Sequence, residues 1–358
     1  MQFDMTKTGV LLKKIALVKP LHSLLVDTYF PYSPANMHKE DKVYFDTKKN
    51  GYKVAPMISQ YGKAKELLRQ PYETDAIVPP KIGGSRSITP EMVAKRIAGE
   101  NIFSGGLTPD KRAALVEAED IRDILDAIKR RQELMVRQLF LTGTVTAIAG
   151  FDDDSVLGSV DIDYGMSPDL LVTLSGTDKW DNSSSDPYEQ LIAKRSLVNE
   201  RSGLIVKSVL IGRAAWKALR NHANFKSMFI QYNPAFNFGE MSPTIKGNGI
   251  TYLGRINEAA LDIYMYDGYV QNPTTGLAEP TIPDDCVLGI PSDFGDAFSM
   301  QYGSITYLGE NDQFVTVDQP LIPRAFSDQR NSVKGIQIES RCLPVIHIVD
   351  SFFKMKVV

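Results

Sequence analysis

Two adjacent stretches of opposite character constrain this chain more than any other feature. Residues 42–106 read as a long, basic arm broken by Pro and Gly, and residues 108–141 as one unbroken amphipathic helix. Lys42–Ile88 holds nine Lys/Arg against four Asp/Glu, a net of +5. Its apolar residues come in short extended pieces: Val43-Tyr44-Phe45, Val54-Ala55-Pro56-Met57-Ile58 and Ala76-Ile77-Val78. Between them stand Gly51, Gly62, Pro71, Pro79, Pro80, Gly83 and Gly84, which favour hairpins and extended backbone. The recurring Tyr, Phe, Val and Ile argue against simple disorder. An arm that cannot bury itself, followed by a strut, describes a subunit completed by its neighbours.

The strut is written in its spacing. Thr108 is a candidate N-cap, with Pro109 at the first helical position, where its missing N–H costs nothing. Ala114, Ile121, Leu125, Ile128, Met135 and Leu139 recur on one face, widened by Ile124 and Val136. Ile121, Ile124, Leu125 and Ile128 are its expected core stripe. Thr142-Gly143 ends it. At about 1.5 Å per residue it spans roughly 50 Å. Seven acidic and seven basic residues cover its other faces, and Lys129-Arg130-Arg131 reads as part of that solvated surface.

Beyond the helix, Val160, Ile162 and Tyr164 alternate with Asp161 and Asp163, the pattern of a half-buried strand. Thr142–Asp186 carries nine Asp and one Lys, a net of −8 opposite in sign to the arm. Pro187–Ser202 reads as a helix stopped by Gly203. Val206–Ile211 reads as a buried strand leading through Gly212 into a helix over Arg213–Met228. Thr251–Ile256, Leu261–Tyr266, Cys286–Ile290 and Phe298–Leu308 read as strands, and Gly335–Val358 as long extended segments returning to the body.

The chemistry-bearing patterns are weak. Asp152-Asp153-Asp154 lacks the Gly and Glu of a calcium loop and reads as a solvated turn. Gly83-Gly84-Ser85-Arg86 lacks the Lys-Ser/Thr of a phosphate cradle and reads as a turn. Gly212 alone is neither G-x-G-x-x-G nor a P-loop, so an α/β nucleotide-using enzyme is a distant alternative. His22, His38, His222 and His347 are scattered, and His347 reads as a core or interface residue. No G-x-S-x-G elbow exists. No metal, cofactor or catalytic residue is expected. Cys286 and Cys342 lack metal-ligand spacing and read as free thiols. A formal charge of −3 argues against a dedicated duplex-DNA binder. No apolar run is long enough to span a membrane, and no signal peptide is evident.

A set of segments, taken in order, resembles the major capsid proteins of tailed bacteriophages, specifically the phage lambda major head protein family. They are Val43-Tyr44-Phe45-Asp46, Val54-Ala55-Pro56-Met57-Ile58, Pro79-Pro80-Lys81-Ile82, Ile88-Thr89-Pro90-Glu91, and Arg96 with Gly99-Glu100. Arg130-Arg131-Gln132-Glu133, Leu141-Thr142-Gly143, Val160-Asp161-Ile162-Asp163-Tyr164-Gly165 and Trp180 before Asp186-Pro187 follow. The resemblance covers nearly the whole chain. It implies an α+β, tailed-phage/herpesvirus-type capsid fold: an N-terminal arm at 1–42 and an extended loop at 43–87. A peripheral domain at 88–203 plus 321–358 would hold the spine helix at 108–141, and an axial domain would occupy 204–320. It implies self-assembly as hexamers and pentamers into an icosahedral shell around double-stranded DNA, in the host cytoplasm. Portal, scaffold and decoration proteins are the implied partners. An encapsulin-like nanocompartment shares the fold and is the nearer alternative. Candidate inter-subunit contacts are Val54, Met57, Ile58 and Ile77 as apolar anchors. Lys53, Lys63 and Lys65 of one copy would face Asp161 and Asp163 of the next.

Overall fold

The computed structural model describes residues 15, 23–48, 57, 72–96, 107–148, 151–152, 155–156, 159–225, 239–240, 244–247, 249–257, 259–272, 275–293, 295–309, 313–328 and 332–358. Its axis is the helix Pro109–Thr142, 34 residues long. Pro109 opens it, and Gly143 closes it in the left-handed region at φ 73°, with its N–H donating to the Leu139 carbonyl at 2.8 Å. Glycine suits that turn, because a side chain there is strained and would also meet Met166 and Leu171.

The first half of the helix lies on a four-stranded sheet. The central strand, Val333–Ile346, pairs antiparallel with Lys81–Ile88 on one side and with Ile322–Asp328 and then Phe298–Tyr302 along its other edge. Ile121, Ile124, Leu125 and Ile128 are buried against Ile336 and Ile338 in a small aliphatic core. Gly83-Gly84 is therefore the interior of a strand, not a turn. A Cβ at Gly83 would stand 2.6 Å from the Ile338 carbonyl oxygen, so only glycine lets the two strands approach. Gly84 leaves room for the helix, with Ile124 3.6 Å from where its Cβ would be.

The second half of the helix enters the main core through Met135, Val136, Leu139 and Phe140. The Phe140 ring meets Phe352 at 5.0 Å, Phe298 at 5.6 Å, Phe30 at 5.8 Å and Tyr29 at 5.9 Å, all edge-on. Phe30 and Tyr29 fall within the stretch expected to be an N-terminal arm. Its last part is instead a short helix, Leu24–Tyr29, whose Leu24, Leu25, Val26 and Tyr29 are buried in the body.

An eight-stranded mixed sheet backs this core. Its order is Gly239–Glu240, Ile250–Ile256, Leu261–Tyr266, Val206–Ile211, Cys286–Pro291, Phe353–Lys356 and Leu171–Thr173, with Thr244–Gly247 also on Ile250–Ile256. Leu261–Tyr266 runs parallel to Val206–Ile211, and Phe353–Lys356 parallel to Leu171–Thr173. The boundaries expected at 203/204 and 320/321 cut across hydrogen-bonded ladders. Phe353–Lys356 pairs with both Cys286–Pro291 and Leu171–Thr173, and Phe298–Tyr302 belongs with Val333–Ile346. Lys81–Ile88, which straddles the boundary expected at 87/88, is paired along its length with Val333–Ile346.

Two further elements are interrupted where their patterns run on. The helix after Gly212 is Arg213–Asn221; His222 leaves helical dihedrals, and the chain is helical again over residues 223–225. The His222 ring lies 3.3 Å from Ser185 Oγ and 3.2 Å from the Asn182 carbonyl, tertiary contacts that accompany the break. Phe298–Leu308 is broken into Phe298–Tyr302 and Ile305–Leu308. At the break, Gly303 donates to the Arg341 carbonyl and Ser304 to the Glu40 carbonyl.

Candidate assembly surface

The arm leaves the body through an antiparallel hairpin, Val43–Lys48 with Tyr72–Ile77, in register from Val43 opposite Ile77 to Lys48 opposite Tyr72. Alternation sets its faces. Val43 and Phe45 are buried, and Tyr44 and Asp46 are exposed. The Phe45 ring packs on Tyr164 at 5.8 Å, and the Tyr164 hydroxyl donates to the Pro344 carbonyl at 2.7 Å. The Lys48 N–H donates to the His347 carbonyl at 2.8 Å, and the Val349 N–H returns to the Lys48 carbonyl at 3.2 Å. His347 ties the junction from the side, with Nε2 2.7 Å from Ser299 Oγ and Nδ1 3.1 Å from the Asp46 carbonyl. The stem is thus fixed by backbone as well as side chains.

Beyond the stem, Met57 is the one described residue of 49–71. Met57 is 104% exposed, an apolar side chain that none of the described residues covers. Lys53, Val54, Ile58, Lys63 and Lys65 lie outside the described residues. Ile77 is half-buried and packs against the main core of its own subunit. Asp161 and Asp163 lie exposed on Ser159–Asp163, which pairs with Thr144–Ile148, while Val145 and Ile162 of the same ladder face the core. The Asp163 carboxylate also accepts the Gly165 N–H at 2.9 Å.

Sequence reasoning missed a buried acid on the long helix. Glu133 is only 3% exposed, and its two oxygens accept the N–H groups of Leu25 at 3.3 Å and Val26 at 3.2 Å. It thereby clamps the Leu24–Tyr29 segment to the helix. Burial pushes its carboxyl up to about 7, against the pull of those two N–H groups. Asp27 adds to the rise and Lys129 opposes it. Lys129 is itself held by Asp27 at 2.6 Å. The available signal was positional, since Gln132 and Glu133 interrupt the apolar stripe between Ile128 and Met135.

The Gly212 unit has no room for a nucleotide phosphate. The Ala215 N–H at the start of the helix donates to the Asp284 carbonyl at 2.9 Å, and a Cβ at Gly212 would stand 2.2 Å from the Pro283 carbonyl. The chain's own oxygens occupy the place an anion would need. Among the described residues no three His, Cys, Asp or Glu side chains cluster to hold a metal, and no helix is long and apolar enough to cross a membrane. Cys286 and Cys342 are free and buried. Burial, helped by Asp285, pushes the Cys286 thiol up to about 12, and burial also raises that of Cys342.

A stem fixed to the body and a fully exposed Met57 beyond it suit a subunit that contacts its neighbours. Residues 7–357 match the family described as phage major capsid protein E. The chain belongs to that family. Its fold is similar to that of a protein assigned as the capsid protein of an E. coli CFT073 prophage. There the identity is 14%, with 98% of this chain and 99% of that one covered at a TM-score of 0.65. It is similar also to a phage-related protein from Bordetella bronchiseptica RB50, at 11% identity, 97% and 96% coverage and a TM-score of 0.50. No curated protein sequence matches it. The chain is a phage major capsid protein of mixed α+β fold, a structural component of the virion.

Proposed function

We propose that copies of this capsid protein assemble as hexamers and pentamers and close an icosahedral head around double-stranded DNA. Each arm lies over the acidic surface of the next copy. Val54, Met57 and Ile58 supply most of the contact energy, and Ile77 contributes the part its own core leaves uncovered. Exposed ion pairs are worth only about 0–1 kcal/mol each, so Lys53, Lys63 and Lys65 against Asp161 and Asp163 guide register more than affinity. No residue is catalytic. The regions 204–320 and 88–203 plus 321–358 act as axial and peripheral parts of one continuous body. Assembly takes place in the host cytoplasm, with portal, scaffold and decoration proteins as further partners and DNA enclosed without sequence-specific contacts.

The observation that carries this reading is the pairing of an anchored stem with a fully exposed Met57. The test is electron microscopy of the purified protein with analysis of the particle contents. Closed shells that hold DNA when formed in the infected host are expected. Discrete monomers, or shells filled with an enzyme cargo, would contradict it.

A further inference from the structure

The packing of the subunit leaves Arg131 unaccounted for. Its side chain is half-buried, and burial pushes its guanidinium below the usual value. It makes no hydrogen bond or ion pair among the described residues. Several other charges on the same helix are matched. Arg86 reaches Asp120 and Asp123, both at 3.0 Å, Lys334 reaches Glu117 at 3.0 Å, and Arg137 reaches Glu279 at 3.1 Å. A desolvated cation without a partner costs stability, and the fold shows no internal return for it.

Arg131 stands between two grooves. One, of about 440 Å3, separates the helix from Lys81–Ile88. The other, of about 370 Å3, separates it from the hairpin Tyr269–Gln271 with Ala278–Pro280. Both are lined by Ala127 and Arg131. Lys81 lines the first and Arg130 the second, and neither has an ion pair among the described residues. Asp123 is the one carboxylate in either lining, and Arg86 already holds it. This face therefore offers three cations and no free carboxylate.

We propose that Arg131 is an inter-subunit socket: the grooves receive a carboxylate-bearing segment of a second copy of this chain, and Arg131 pairs with that carboxylate. The proposal rests on the assembly reading above. Charge complementarity favours a second copy, because Thr142–Asp186 is strongly acidic. Asp178 and Asp181 in that tract are exposed and without an ion pair among the described residues. Their loop is held in place by Trp180, whose indole N–H donates to Gln190 at 2.8 Å and whose backbone N–H donates to Val357 at 2.9 Å. A head-to-tail contact of this kind uses two different patches on each copy. A planar guanidinium suits it by pairing both oxygens of a carboxylate at once.

The test compares the parent protein with Arg131→Met and Arg131→Lys, as dilute subunits and in assembly of the purified protein alone. As a subunit, Arg131→Met should melt at or above the parent's temperature, since it loses an unpaired half-buried charge. Its yield of closed particles should fall at least about tenfold, as expected when one partner of a buried pair is removed, with Arg131→Lys in between. A cryo-electron microscopy map of the parent shell should show a carboxylate of another subunit within ion-pair distance of Arg131. Equal yields of parent and Arg131→Met shells would overturn the socket, as would a melting loss in the isolated variant. Normal empty shells that fail only to package DNA would assign Arg131 to nucleic acid and also overturn it. Failure of the parent itself to form particles would instead sink the assembly reading.

Discussion

The two halves of the long helix are buried by different means. The first half presents Ile121, Ile124, Leu125 and Ile128 to a strand thinned by Gly83 and Gly84, and its contacts are aliphatic. The second half carries Phe140 into a ring of aromatics and places Glu133 beneath the Leu24–Tyr29 segment. One half is held by period and close approach, the other by residues far away in sequence. A stripe of regular spacing needs only a flat partner. A buried polar group needs a specific one, because leaving it unmatched costs several times what a matched one contributes.

This difference can be broken from either side. The largest effect is expected from Ile124→Asp. An unpaired charge on the aliphatic half costs several kcal/mol, a large part of a domain's stability, so soluble folded protein should be lost. Soluble subunits with parental circular dichroism would show that this face is not buried. Phe140→Ala should cost about 3–5 kcal/mol in denaturant unfolding, because rigid rings on several sides cannot close the cavity. A loss below that range would mean the aromatic half relaxes more easily than its packing implies.

The clamp at Glu133 makes stability depend on pH. Its carboxyl is raised from 4.5 to about 7, so its contribution is full below about 4.5 and is lost as pH rises through 7. At about 1.4 kcal/mol per unit, roughly 3 kcal/mol is involved. Glu133→Gln keeps an oxygen acceptor and cannot ionise. Relative to the parent it should gain stability from pH 5 to pH 8, in thermal melts at several pH values. Parallel curves for the two proteins would remove the clamp from the account. At the small end, Gly84→Ala should cost under about 1.5 kcal/mol, since its Cβ meets Ile124 at ordinary contact distance. Gly83→Ala should cost clearly more, because its Cβ meets a backbone carbonyl. Equal costs would contradict the close approach of the strands.

The same division governs what the sequence could reveal. The helix, its stop at Gly143 and the second helix ending at Gly203 are local facts of spacing and backbone freedom, and all were legible. Gly83-Gly84 was misread because Gly-Gly-Ser has turn chemistry, whereas the need for it comes from a strand more than 250 residues later, around Ile338. The Glu133 clamp joins groups 107 and 108 residues apart, and no window reaches that far. The placement of Leu24–Phe30 in the core was hidden in the same way, since six residues of helix have too little period to show their face. The acidic strand at Asp161 and Asp163 was visible from alternation. The empty place beside Arg131 was not, because an unmatched charge looks like any other charge until its surroundings are known.

The central claim is that the subunit folds alone and is completed by its neighbours through the arm. Its most direct test replaces residues 49–71 with a short Gly/Ser linker that closes the hairpin between Lys48 and Tyr72. The purified variant is then examined by thermal melting and electron microscopy. A subunit that melts like the parent and forms no closed particles is the predicted result. Closed shells from the linker variant would show that the arm is not the assembly element and would contradict the account.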